Sequence, residues 1–146
     1  MRVAIHHTGW HVCGGGELYV GALAEELARE HDVSLLITSP FRAERLYELL
    51  GLRFENVRIL ELARSARQGR RDHYGAERAV ARALKDFDVG IRVATGRVPA
   101  AAARRNLLHV QVPFSPRRSL RSLWHRIRNR KALRGYERVF FNSRFT

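Results

Sequence analysis

Six short apolar runs rich in β-branched residues, most of them separated by segments of helical period, constrain this chain more than any other feature. RVAIH, VSLLITS, NVRIL, DVGIRVAT, NLLHVQVP and RVFFNS read as strands. Strands alternating with helical patterns are joined by crossovers, and crossovers set neighbouring strands parallel. The unbroken hydrophobicity of VSLLITS suits a strand covered on both faces. Pro113 has no amide hydrogen to give to a ladder and ends the fifth run. The expected fold is α/β: a Rossmann-like, doubly wound, mainly parallel sheet. At 146 residues and 45% hydrophobic composition, the chain has material for one core, and residues 1–146 read as a single domain.

The intervening segments supply the helices. After Gly14, Gly15 and Gly16, residues Leu18, Ala22, Leu23 and Leu27 recur at roughly helical spacing, with Glu25, Glu26 and Arg29 opposite. A helix is expected from Arg42 to Leu50, with Leu46, Leu49 and Leu50 inward and Gly51 closing it. ARSARQGRRDHYG lacks apolar periodicity and reads as a mobile, basic surface loop, with helix returning from Glu77 to Leu84.

Charge and cysteine content narrow the setting. The net charge of +13 favours a polyanionic partner, although nearly all of the positive charge is Arg, a bias that GC-rich coding also produces. The only cysteine, Cys13, cannot form an intramolecular disulfide, and the amino terminus resembles neither a signal peptide nor a membrane span. A cytoplasmic setting is expected.

In doubly wound sheets, ligands bind beyond the carboxyl ends of the strands. The loop from His6 to Gly16, the turn after Thr38, ATGRVP and QVPFSP all fall at such ends. Three glycines before a helix imply close approach to the main chain or a turn at positive φ. Their amides, at the positive end of a helix, make a seat for phosphate or a polar sugar group; the alternative is a tight turn that only permits packing. CGGGELYVG lacks the Lys-Ser/Thr of a nucleoside-triphosphate loop, and Tyr19 stands where a dinucleotide fingerprint has its third glycine. A kinase or dehydrogenase is disfavoured. Glu17 in the first helical turn would complement the helix dipole, worth about 0.3 to 1 kcal/mol.

MRVAIHHTGW followed by GGGE and an amphipathic helix resembles the opening of the family four retaining glycosyltransferases. DVGIRVATGRVPAAAARRNLLHVQVPFSP, a basic helical segment and YERVFFNSRFT resemble the fourth to sixth strands of the same domain, and the likeness runs in order over nearly the whole chain. The resemblance implies the amino-terminal, acceptor-side half of a glycosyltransferase-B fold, with the carboxyl-terminal nucleotide-sugar-binding domain absent. It implies hexosyl transfer to a glycan, lipid or small-molecule acceptor, with a sugar nucleotide as donor substrate and no cofactor. Gly14, Gly15, Gly16 and Glu17 fall on the family's glycine loop and are substrate-binding candidates, as are Thr95 and Pro113 at the ends of the fourth and fifth strands. Where family members often carry a histidine before the fifth loop, this chain has Gln111, with His109 two residues earlier. Both are catalytic candidates on one strand face, and a core role for His109 is the alternative. Same-face attack, with the leaving diphosphate taking the acceptor's proton, leaves the protein to position and to stabilise charge. The stabilising cations belong to the second domain, so this half alone is expected to be inactive or nearly so.

Two further patterns carry expectations. Leu120, Leu123, Trp124 and Ile127 make one stripe of a helix otherwise covered by Arg121, Arg126, Arg128, Arg130 and Lys131. That basic amphipathic helix packs its stripe on the sheet, meets an anionic membrane as a peripheral contact at the inner face, where a lipid-linked acceptor waits, or contacts nucleic-acid phosphates. A non-enzymatic basic module for nucleic acid or an anionic surface is the competing function. It is disfavoured because Phe140 and Phe141 are expected in a buried strand rather than on a stacking surface. His6, His7, His11 and Cys13 match no common metal spacing, and no metal site is expected.

Overall fold

A computed structural model describes residues 1–62, 70–95, 97–112 and 120–141, and their side chains except those of 70–74, 95, 112 and 120–126. Six strands, β1 (Arg2–His6), β2 (Asp32–Ile37), β3 (Val57–Glu61), β4 (Val89–Thr95), β5 (Arg105–Val112) and β6 (Arg138–Phe141), form one all-parallel sheet in the order β3-β2-β1-β4-β5-β6. Among the described residues, four α-helices flank it: α1 (Gly15–Leu27), α2 (Ala43–Leu50), α3 (Arg70–Ala83) and α4 (Leu120–Leu133). The chain starts in the middle, winds outward through β2 and β3, then returns past β1 to build β4, β5 and β6. That reversal between β1 and β4 is the topology of a Rossmann-like fold.

Strand alternation sorts the core into two faces. Val3, Ile5, Val33, Leu35, Ile37, Val89, Ile91 and Val93 pack with Val20 and Ala24 of α1 and Leu46 of α2. Ala4 and Leu36 turn to the opposite face and meet Val80, with Leu84 and Phe87 just after α3. Further along that sheet, Ala94, Leu108 and Val110 pack with Val98, Tyr136 and the half-buried Ala132 and Leu133 of α4. On the α3 face, Arg92 is fully buried in β4. Its guanidinium grips both carboxylate oxygens of Glu77 at 2.9 Å. This pair, with Arg92 buried and Glu77 half-buried, fastens α3 to the centre of the sheet.

Several local expectations change. The buried stripe of α1 runs through Glu17, Val20, Gly21 and Ala24, whereas Leu18 and Ala22 face outward and Leu23 and Leu27 are half-buried. Gly21 lies on this stripe because the Leu52 side chain occupies the place of a Cβ there. In α2, Leu46 is buried and Leu50 half-buried, but Leu49 is exposed, since an eight-residue helix touches the core along barely one turn. Gly51 does close it, at φ 72°, with its amide bonded to the Tyr47 carbonyl. Helix α3 begins at Arg70, so RRDHYG, expected as loop, is helical. Once a turn is anchored by packing at Val80, elongation needs no apolar stripe. Phe140 and Phe141 are about half exposed on the edge strand β6, not buried. Ile127 of α4 is exposed too; the packed side of that helix passes through Asn129, Ala132 and Leu133 instead. Pro113, Asn142 and Ser143, and residues 63–69 of the expected basic loop, lie outside the described residues.

Candidate functional site

The segment after β1 must leave a buried strand and enter α1 within eight residues, and two polar side chains set its path. His7, 1% exposed, faces Glu17, 5% exposed, with Nε2 and Oε1 at 2.6 Å. The other carboxylate oxygen of Glu17 accepts the Gly14 amide at 2.7 Å, the reach-back half of a capping box. Gly9 leaves room for the pair: a Cβ there would stand 2.8 Å from both Glu17 Oε1 and His7 Nε2. The edge of Trp10 completes the support, 5.5 Å from the His7 ring and packed in turn on Phe41 and Phe54.

Burial pushes the pKa of His7 down, more strongly than the Glu17 hydrogen bond and charge push it up, and His109 and His11 add to the lowering. Burial would raise the Glu17 carboxyl, but hydrogen bonds from His7 and from the Gly14 and Glu17 amides together hold it below the usual carboxylate range. At neutral pH the pair is a carboxylate accepting from a neutral imidazole, which puts the His7 proton on Nε2. Glu17 therefore locks the loop, a larger role than complementing the helix dipole.

The glycines divide the remaining work. None of Gly14, Gly15 or Gly16 has positive φ; that conformation falls on Cys13, at φ 55°. Gly16 is the position of close approach. A Cβ there would lie 2.9 Å from Gln111 Oε1, and Gln111 Nε2 donates to the Gly16 carbonyl at 3.2 Å. At Gly15 a Cβ would meet nothing within 4 Å. Gly15 and Gly16 form one side of a groove of about 350 Å3, completed by Tyr19, His109, Gln111 and Phe141. Its volume lies at the small end of ligand pockets. Tyr19 covers His109, ring centroids 4.5 Å apart, and leaves that histidine only 4% exposed.

Four expected site residues thus meet at one groove, Gly15, Gly16, His109 and Gln111, whereas Gly14 is not in its lining and gives its amide to Glu17. As alternation requires, His109 and Gln111 share the α1 face of β5. Glu17 points away from the groove lining toward His7. Thr95 ends β4 opposite Val112, past an irregularity in the β4–β5 register, and Pro113 lies outside the described residues. His6 turns to the other side of the sheet and bonds Thr38 Oγ1 at 3.2 Å, apart from His7. Among the described residues, no three His, Cys, Asp or Glu side chains gather as a metal site.

Sequence reasoning missed His7 as a structural partner, Gly9 as its necessary neighbour and Tyr19 as a wall. The signal available was a histidine leaving the first strand and an acid in the first turn of the next helix, ten residues apart. No described helix is long and apolar enough to cross a membrane. No family model and no curated protein matches the chain.

Proposed function

We propose that this chain is the acceptor-side lobe of a sugar-nucleotide-dependent retaining glycosyltransferase, transferring a hexose to a glycan, lipid or small-molecule acceptor. The observation that supports the reading is the groove over Gly15 and Gly16. It lies where a parallel sheet binds ligands, beside first-turn amides that a helix leaves without internal partners. Gln111 brings an amide that can both donate to and accept from a sugar hydroxyl, and Tyr19 and Phe141 offer aromatic walls to the apolar face of a sugar ring. In this reading the groove positions the acceptor hydroxyl beside the transferred sugar, and a second Rossmann-like lobe holds the donor diphosphate and supplies cations to the leaving group. His109, covered by Tyr19, acts as a positioning residue behind Gln111.

The test is an NMR titration of the 146-residue chain with a panel of saccharides and nucleotide hexoses, alongside a radiolabelled transfer assay. Shifts at Gly15, Gly16 and the Gln111 side-chain amide, lost in a folded Gln111→Ala variant, are expected, with little or no turnover by this lobe alone. A panel that leaves those resonances unmoved refutes the reading.

Exposure of Phe140 and Phe141 removes the earlier reason for disfavouring a single-stranded nucleic-acid module. Successive strand residues point to opposite faces, however, so the two rings do not make one stacking platform, and Phe141 belongs to the groove. Salt-dependent binding of a labelled oligonucleotide, abolished by Phe140→Ala, would favour this second reading.

A further inference from the structure

A second cavity opens at the same end of the sheet, on the β1–β2 side. It measures about 220 Å3 and is lined by Trp10, His11 and Cys13 from the segment after β1, and by Pro40, Arg42 and Arg45 from the start of α2. None of its lining residues is shared with the groove. We infer that this cavity is a phosphoryl-binding subsite; its assignment to a phosphorylated acceptor rests on the glycosyl-transfer reading above.

Three features converge. Arg42 and Arg45 are exposed side chains at the cavity, and neither makes an ion pair or hydrogen bond among the described residues. Arginine forks match phosphate oxygens, and among the described residues no carboxylate lines the cavity to compete for them. The amino terminus of α2 carries no side-chain cap, so its first-turn amides add donors at the positive end of a helix. Its first-turn acid, Glu44, lines a different hollow, with Tyr47 and Arg53. Trp10, 1% exposed, lines the cavity as well. Two guanidinium groups and first-turn amides offer more donors than a carboxylate can accept, which selects a phosphoryl group.

The chain contains its own reporter. Cys13, its single cysteine, is half-buried and lines this cavity. The uncharged reagent N-ethylmaleimide should alkylate it, and inorganic phosphate at ten times its dissociation constant should slow that reaction about ten-fold. The Arg42→Ser/Arg45→Ser double variant alters only exposed side chains and should lose the protection. An Arg29→Ser/Arg53→Ser control, changing the same charge elsewhere, should keep it. Glycerol 3-phosphate and phosphatidylcholine vesicles with and without phosphatidic acid separate the sources: protection by the soluble ester identifies a soluble ligand, and protection by phosphatidic acid vesicles alone identifies a lipid-borne one.

An alkylation rate that no phosphoryl compound changes, or protection that survives the double variant, overturns the inference. Saccharide shifts at Gln111 that persist while protection is absent would sink this subsite alone. Protection without any saccharide shift would leave the subsite standing and remove the glycosyl-transfer reading.

Discussion

Gln111 of β5 donates its side-chain amide to the carbonyl of Gly16 in α1, 95 residues earlier in the chain, and fills the space that a Cβ at Gly16 would need. The contact holds the start of the helix against the end of a strand two places away in the sheet from β1. It also sets the Gln111 side chain in the groove lining, so its disturbance has a stability readout.

Gly16→Ala should push the Gln111 side chain aside and break this bond, at a cost of about 1 kcal/mol. Gly15→Ala, with open space around it, should be neutral or stabilising by up to about 1 kcal/mol. Urea titrations of both variants, and of Gly16→Ala in a Gln111→Ala background, check this. The cost at Gly16 should shrink when the amide is gone, and equal effects at the two glycines would contradict the geometry.

Glu17→Ala leaves the His7 N–H and the Gly14 amide without their buried acceptor, and should destabilise the chain by about 2 to 4 kcal/mol. Glu17→Gln preserves shape and one acceptor oxygen but loses the charge, so its cost should be smaller. A Glu17→Ala protein as stable as the parent would show that the loop does not depend on this clasp.

Acidification should weaken the fold through the same pair. Burial holds the folded pKa of His7 below its ordinary value of 6.5. The unfolded chain therefore takes up this proton first, and stability in place above pH 6.5 declines as pH falls toward the folded value. Glu17, held below its ordinary 4.5, adds stability above that pH that disappears as pH falls through its own folded value. Between about pH 7.5 and about pH 5.5, the urea midpoint should drop, and it should drop less in His7→Gln. A slope unchanged by that substitution would acquit His7.

Glu77→Ala strands the fully buried Arg92 guanidinium without its carboxylate and should cost about 3 to 5 kcal/mol. Arg92→Met, which removes the charge and fills much of the same volume, should cost less, and combining it with Glu77→Leu should recover part of the loss. Denaturant unfolding of the three variants measures the order; a Glu77→Ala chain no weaker than Arg92→Met would reverse it.

Local pattern was enough for the α/β class, the six strand positions to within two residues and the Gly51 cap. These follow from period-2 and period-3.6 hydrophobicity, from glycine at a left-handed cap, and from the parallel geometry that crossovers impose. The pairing of His109 with Gln111 on one face was equally legible, because alternation along a strand does not depend on what it packs against. Helix faces were less legible: Leu18, Leu49 and Ile127 fit an apolar stripe in sequence, yet point outward because short helices offer the sheet only part of their circumference.

What only the tertiary structure decided is which polar groups meet. His7 with Glu17, Arg92 with Glu77, Gly16 with Gln111 and Arg42 with Trp10's cavity are each set by how strands and helices stack, and no periodicity encodes a contact between separate elements. A buried Glu in the first turn of α1 reads as solvated in sequence, since burial of a charge is decided by the partner that compensates it, and that partner arrives from another element. The glycines show the same division: their presence marked the loop, while the neighbouring side chains determined that Gly9 and Gly16 serve packing and Gly15 faces open space.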